Sequence, residues 1–279
     1  MRNYLFIVIF LSSISNAQVV FFQDIVKGGI TSSGVNLAGT GDNPLNFSLF
    51  VEPGSTVKKA FLITGADGTP EDMSITINGI AHFLDSQSIV TSGFLSMWYT
   101  PPVSSIYVID LTNYIDPNIT NYTLDAPVQG FYPQLYIQYS IIIIYENPFL
   151  PLTAVEIVLN NQNVSDHISY SLTNLLPINT INQVGCAVVG RHFCDTIQDG
   201  SYVSVNSTPI GLIGGNDANS PPTCSGVRGD FYYQNSTLYG LDDDTPDPFM
   251  AGSDALANIQ SYVTNYDMNL DLDFNYQNL

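Results

Sequence analysis

Five aspartates lie close together near the end of the sequence, and carboxylates grouped in this way are ligands that calcium prefers. They are Asp242, Asp243, Asp244, Asp247 and Asp254, in a segment that also contains Gly and Pro. Ca²⁺ takes about six to eight oxygen ligands, and a turn-rich loop offers backbone carbonyls beside the carboxylates. The glycine and distant glutamate of an EF-hand are missing. The segment therefore predicts either an irregular calcium site or a solvated acidic turn.

The chain has three cysteines, which in an exported protein predict one disulfide and one free thiol. Cys186 lies in an apolar run and reads as a core residue, whereas Cys194 and Cys224 lie in polar surroundings. We therefore prefer the Cys194–Cys224 pair, with Cys186–Cys194 as the alternative. His192 would allow zinc coordination beside these thiols. The spacings match no zinc motif, and export favours the disulfide.

Few residues are candidates for catalysis. No Gly-x-Ser-x-Gly nucleophile motif occurs. Glycoside hydrolysis needs two carboxylates across a cleft, and Glu146 and Asp110, at the ends of strong strand patterns, are the pair to consider. His82, in a strand-like run, and His167, beside Asp166, are candidate bases. We prefer the simpler interpretation, strand-end charges and strand histidines, and expect no catalytic residues and no enzyme.

An aromatic cluster precedes a double proline in the first half of the chain. It contains Phe94, Met97, Trp98 and Tyr99. Exposed aromatic faces bind sugar rings or partner proteins, so Trp98 and Tyr99 are candidate ligand-binding residues. The alternative is that every second residue packs inward, which we favour for Trp98.

Charge and the first residues of the chain bear on partners and location. The formal net charge is −19, from 25 acidic and 6 basic residues. A field of that sign repels nucleic acid. Residues 1–17 read as a signal peptide, with Arg2, an apolar stretch too short for a bilayer, and small residues before a cut after Ala17. We expect a secreted or cell-surface protein with no transmembrane segment and no nucleic-acid partner.

Short runs rich in Val, Ile, Tyr, Phe and Thr recur between clusters of Gly, Pro, Asn and Asp. This pattern predicts an all-β chain of one or two antiparallel β-sandwich domains, jelly-roll or immunoglobulin-like, with at most one or two short helices. A helix is expected at Ser253–Tyr262, where apolar residues share one helical face. The predicted strands include 47–51, 59–64, 74–78, 105–111, 121–124 and 202–206.

The strongest strand pattern spans residues 134–147. Its centre, Ile141–Ile144, is apolar on both faces, which predicts a central strand that is covered on each side. We place a domain boundary after it, with one sandwich at 18–149 and another at 150–279; packing of the two as one unit is the alternative. A faint similarity between residues 114–125 and 262–273 suggests that the two sandwiches are related.

Several of these stretches also carry a resemblance to a known group of proteins. They are Val57–Thr64, Tyr107–Thr112, Ser140–Pro148, Gly240–Thr245 and Ser253–Leu256. In this order they resemble secreted, adhesin-like bacterial exoproteins of unknown function. The resemblance implies a β-sandwich without established catalytic residues. Many such proteins continue into a type IX sorting domain, which we expect to be absent here.

Taken together, the sequence predicts a secreted, non-enzymatic surface or adhesive protein, with calcium as the one cofactor to consider. Its partner would be a protein or polysaccharide at the cell surface. A carbohydrate-binding module that uses the aromatic cluster is the first alternative. An extracellular hydrolase without a recognisable motif is the second.

Overall fold

A computed structural model describes the parts of the chain from which the fold is built. These are residues 19–36, 44–67, 72–94, 103–126, 136–159, 167–173, 176–179, 181, 184–186, 202–212 and 257–275. Almost all of this structure is antiparallel β-sheet, and no helix of seven or more residues occurs among the described residues. The predicted all-β fold is therefore confirmed.

The described part of the chain contains sixteen strands, together with 3₁₀ turns at Ser86–Ser88 and Gln260–Tyr262. The strands are β1 (Val19–Asn36), β2 (Leu45–Ser48), β3 (Thr56–Asp67), β4 (Met73–Ile77), β5 (Ile80–Leu84), β6 (Ile89–Phe94), β7 (Val103–Asp110), β8 (Asn121–Asp125), β9 (Tyr136–Glu146), β10 (Leu152–Leu159), β11 (His167–Leu172), β12 (Gly185–Cys186), β13 (Tyr202–Val205), β14 (Thr208–Leu212), β15 (Ala257–Asn258) and β16 (Leu270–Asn275).

Two sheets form the first sandwich. One has six strands in the order β10-β1-β9-β3-β7-β6, and the other has four in the order β2-β8-β4-β5. A large apolar cluster contains side chains of both sheets, including Phe47, Leu62, Leu124 and Ile141. Because both sheets contribute, this cluster is the core between them, as expected for a sandwich.

The isoleucine-rich strand occupies the centre of this structure, as the sequence predicted. β9 pairs with β1 on one edge and with β3 on the other. Ile141 and Ile143 belong to the core of the sandwich. Ile144 belongs to a second apolar cluster, with Phe61 of β3 and Val155 of β10. Alternate residues of β9 are thus buried on opposite faces, which explains its unbroken apolar run.

β1 takes part in two ladders. Its first half (residues 19–27) pairs with β10, and its second half (residues 28–36) pairs with β9. β10 and β9 lie on opposite sides of β1, so the connection between them crosses β1. Asn147 N donates to Lys27 O at 2.7 Å before the crossing, and Gly28 N donates to Pro151 O at 3.2 Å after it.

Glycine is required where the chain crosses. A Cβ on Gly28 would lie 1.9 Å from the Tyr145 carbonyl oxygen, which is backbone and has little room to move. The buried Asn147 side chain fixes the other strand of the crossing: its Nδ2 donates to Pro53 O and to Ser55 Oγ, both at 3.2 Å. Its Oδ1 accepts from Phe149 N at 3.0 Å.

The second four-stranded sheet repeats the first. Its order is β11-β16-β13-β14, which has the same connectivity as β2-β8-β4-β5. The registers also correspond: Thr76↔Asp125 and Ile77↔Leu124 in β4·β8 match Ser204↔Asp273 and Val205↔Leu272 in β13·β16. A short β12·β15 ladder likewise matches β3·β7, with Phe61↔Asp110 and Leu62↔Ile109 equivalent to Gly185↔Asn258 and Cys186↔Ala257.

Hydrogen bonds outside the ladders repeat as well. Leu111 N donates to Ala60 O, and Ile259 N donates to Val184 O, both at 2.8 Å. Asn78 N donates to Thr123 O at 2.9 Å, as Asn206 N does to Asp271 O at 2.8 Å. The similar segments 114–125 and 262–273 of the sequence fall on these equivalent turns and strands.

The expected helix at Ser253–Tyr262 is wrong over its described residues, 257–262. Residues 257–258 form β15, and residues 260–262 form a 3₁₀ turn. The helical spacing of Ile259 and Val263 has another cause: both are buried, and Ile259 is held by the bond to Val184 rather than by a helical turn. The boundary proposed after residue 149 stays a prediction, and β10, which follows it, pairs with β1.

Candidate functional site

Most of the residues singled out in the sequence lie outside the described part of the chain. These are the five aspartates Asp242, Asp243, Asp244, Asp247 and Asp254, the cysteines Cys194 and Cys224, and the aromatic residues Trp98 and Tyr99. His192 also lies outside it. Cys186 is placed in β12, opposite Ala257. The calcium site, the disulfide and the aromatic ligand site stay predictions.

The carboxylate pair considered for hydrolysis is bound to lysines. Glu146 Oε1 lies 2.8 Å from Lys58 Nζ, which also lies 3.0 Å from Asp24 Oδ2. Asp110 Oδ2 lies 2.9 Å from Lys59 Nζ. Each of these two carboxylates therefore lies at the end of its strand beside a lysine.

The surroundings of Asp110 and Asp24 favour their ionised forms. Burial raises the pKa of Asp110, but hydrogen bonds from Thr112 and Lys59 outweigh it and hold the pKa below its ordinary value. The hydrogen bond from Lys58 likewise lowers the pKa of Asp24. A general acid needs a raised pKa to be protonated at neutral pH. Neither aspartate is therefore suited to that role.

His82 is a core residue of the first sandwich. It lies on the inner face of β5 together with Leu84, and both side chains are buried. Its ring meets Tyr114 edge-on, with centroids 4.8 Å apart. Its Nε2 has no hydrogen-bond partner among the described residues, and burial lowers the pKa of His82. His167 begins β11, opposite Asn275.

The outer surface of the first four-stranded sheet is mostly polar. Its strands alternate, so that Tyr122 and Leu124 point into the core while Asn121, Thr123 and Asp125 are exposed. We define the first polar face as Asn46, Ser74, Thr76, Phe83, Asn121, Thr123 and Asp125. Phe83, opposite Ser74, is the large apolar side chain of this face and is 66% exposed.

The second four-stranded sheet carries a corresponding face. We define the second polar face as Ser169, Ser171, Asp271 and Asp273, which share one side of β11 and β16 by register. The buried Ser204 of β13 lies opposite Asp273. Ser171 Oγ donates to Asp271 Oδ1 at 2.7 Å, and Ser204 Oγ donates to Asp273 Oδ2 at 3.3 Å. Hydroxyls and carboxylates thus alternate across three neighbouring strands.

These two faces were not identified from the sequence. The signal was present, because Asn121–Asp125 alternates polar and apolar residues with a period of two. A local pattern does not show which strands lie side by side. The faces could not be identified because they form only when the strands pair.

The described residues contain no group of three or more His, Cys, Asp or Glu side chains placed to hold a metal ion. They also contain no helix long and apolar enough to cross a membrane. The molecule is thus a set of antiparallel β-sheets in which one four-stranded arrangement occurs twice. No protein-family model, curated protein or solved structure matches this chain.

Proposed function

We propose that this chain is a secreted, non-enzymatic surface or adhesive protein that binds its partner through the two polar faces. The observation that carries the proposal is the repeated face of mostly short polar side chains, presented by two sheets of the same connectivity and register. A single chain with two such faces can engage an extended or repetitive partner at two places, which strengthens binding without new kinds of contact.

The composition of the faces suits this role. Ser, Thr, Asn and Asp offer hydrogen-bond donors and acceptors. They lose less side-chain entropy than long residues when a partner orders them. A polysaccharide or a polar protein surface would supply the complementary groups. The lysine-bound carboxylates at the strand ends and the buried His82 support a role without catalysis.

Carbohydrate binding is the second candidate, and one observation favours it. Phe83 is an exposed aromatic ring on a strand beside hydroxyl and amide groups. Aromatic rings stack on the apolar faces of sugars while neighbouring polar groups bind the hydroxyls. Trp98 and Tyr99 would add to such a site only if they lie on the same face.

Binding to immobilised polysaccharides tests this candidate. We expect Phe83→Ala to weaken binding of the full-length protein about fivefold or more if the ring contacts sugar. Phe149→Ala is the matched control, because Phe149 is 94% exposed in the turn before β10 and belongs to neither face. Equal loss in both variants, or in neither, would exclude sugar stacking at Phe83.

Calcium stiffening by Asp242, Asp243, Asp244, Asp247 and Asp254 is part of the proposal. A ligand that binds only the folded state raises the melting temperature. We expect calcium to raise it and a chelator to reverse the effect, and the Asp243→Asn, Asp244→Asn variant to respond less. A melting temperature that is the same with calcium and with chelator would show that calcium does not stabilise the folded protein.

A further inference from the structure

In the second repeat, β10 occupies the place that the second half of β1 occupies in the first repeat. The second half of β1 leads into β2, the edge strand of the first four-stranded sheet, and β10 leads into β11, the edge strand of the second. Side chains of both, Ile30 and Val155, contact the same apolar cluster. The two strands therefore have equivalent places in the repeated unit.

The ladder partners of these equivalent strands come from different parts of the chain. The second half of β1 pairs antiparallel with β9, which follows β8 in the chain. β10 also pairs antiparallel, but with residues 19–27, the first half of β1. Residues 19–27, which we call the N-terminal strand, therefore pair with β10 as β9 pairs with the second half of β1.

We propose that residues 19–27 complete the second repeated unit, so that the edge of β10 is the docking site for the N-terminal strand and the two units are interlocked. One unit then consists of the second half of β1 with β2–β9. The other consists of residues 19–27 with β10–β16. The first unit is a continuous piece of the chain, whereas the second takes residues 19–27 from before the first unit and β10–β16 from after it.

The crossing at Gly28 is where the interlocking occurs. There β1 passes from the ladder with β10 to the ladder with β9, and the segment 147–151 passes in the opposite sense from β9 to β10. Apolar side chains hold the N-terminal strand in place. Val26 is buried, and the Phe21 ring lies edge-on to Phe61 with centroids 5.0 Å apart.

The proposal predicts which strands lose protection when the N-terminal strand is disrupted. The Val26 amide lies on the same edge of β1 as the Gly28 amide, which bonds to Pro151 on the β10 side. Val26→Pro removes the hydrogen bond that the Val26 amide makes in the ladder with β10, whereas Val26→Ala removes only side-chain volume. Hydrogen exchange of the full-length protein should become faster in β11, β13 and β16 in the proline variant, relative to the alanine variant.

Strands β4, β5 and β8 of the first unit serve as the internal reference. Their exchange should stay within about twofold of the wild-type rate. Faster exchange in β4, β5 and β8 to the same extent as in β11, β13 and β16 would overturn the proposal. So would unchanged exchange in β11, β13 and β16.

A cross-strand disulfide keeps the test decisive if the proline variant does not fold. Ile25 and Ala154 are direct ladder partners, and Ile25→Cys with Ala154→Cys places two thiols on one face. We expect the oxidised protein to be a monomer whose peptide map shows a bond between these two introduced thiols. Exchange in β11, β13 and β16 should be about tenfold slower than in the reduced protein. Intermolecular bonding, or no slowing in those strands, would contradict the proposal.

Discussion

Gly28 is the residue on which the crossing of the chain depends. A Cβ there would meet backbone at 1.9 Å, whereas a Cβ on Gly65 of β3 would meet nothing within 4 Å. We expect Gly28→Ala to lower the free energy of unfolding by roughly 2 to 4 kcal/mol, because backbone has to shift. Gly65→Ala is the matched control and should change it by less than about 1 kcal/mol. Urea denaturation of both variants measures the difference, and similar values would contradict the close approach.

Tyr122 forms a buried bond of the kind found at tyrosine corners of β-sandwiches. Its hydroxyl donates to Asp116 O at 2.7 Å and accepts from Asp116 N at 3.1 Å. We expect Tyr122→Phe to cost about 1 to 3 kcal/mol, because both backbone groups lose a partner. A denaturation midpoint equal to that of the wild type would show that water replaces the hydroxyl.

The same tyrosine gives a prediction at high pH. Burial raises the pKa of Tyr122 to about 12, from 10.0. Between these values the unfolded chain releases the proton and the folded chain keeps it, so stability falls as pH rises from 10 towards 12. The difference in stability between wild type and Tyr122→Phe should therefore shrink over this range. A constant difference would contradict the buried, protonated hydroxyl.

His82 predicts the opposite pH dependence. Burial lowers its pKa in the folded state below the ordinary value of 6.5. The unfolded chain therefore takes up the proton first, and stability is lost as pH falls through 6.5 and below. His82→Leu should reduce the loss of stability between about pH 7 and pH 5, measured by urea denaturation. An unchanged pH profile would show that the ring reaches water.

At the scale of elements, the two tight hairpins are held by asparagine. Asn78 and Asn206 both have a φ of +46°, and each accepts from the backbone of a neighbouring strand, at Thr123 N (2.8 Å) and Asp271 N (3.1 Å). We expect Asn78→Ala and Asn206→Ala each to cost about 1 to 2 kcal/mol, since the bond and the favoured turn residue are both lost. Asn113→Ala, in the exposed turn after β7, is the control and should change stability little. Equal effects at all three positions would contradict the role of the two asparagines.

Local pattern predicted many strands but not their partners. The runs 74–78, 105–111 and 121–124 lie on β4, β7 and β8, since alternation and β-branched residues are local properties. The run 47–51 was displaced along the chain, because β2 spans Leu45–Ser48. The division of β1 between two ladders follows from distant pairing, which no window of sequence contains. The polar faces could not be predicted for the same reason.

For the whole molecule, the repeat is what links fold to function. Residues 110 and 258 are 148 apart in the chain, as are 125 and 273, and both pairs hold equivalent ladder positions. The sequence carried this only as a faint similarity, because a β-sandwich fixes the pattern of burial more strongly than residue identity. Two equivalent faces on one chain are the basis of the proposed surface role.

The most direct test of that role changes both polar faces at an equivalent position. Thr123 of the first polar face and Asp271 of the second are exposed and also 148 residues apart. The measurement is binding of the full-length protein to immobilised cell-surface polysaccharide and protein. Thr123→Arg with Asp271→Arg should lose more than about tenfold in apparent affinity, with each single variant intermediate, and Phe149→Ala unchanged. Wild-type binding by the double variant would contradict recognition through these faces.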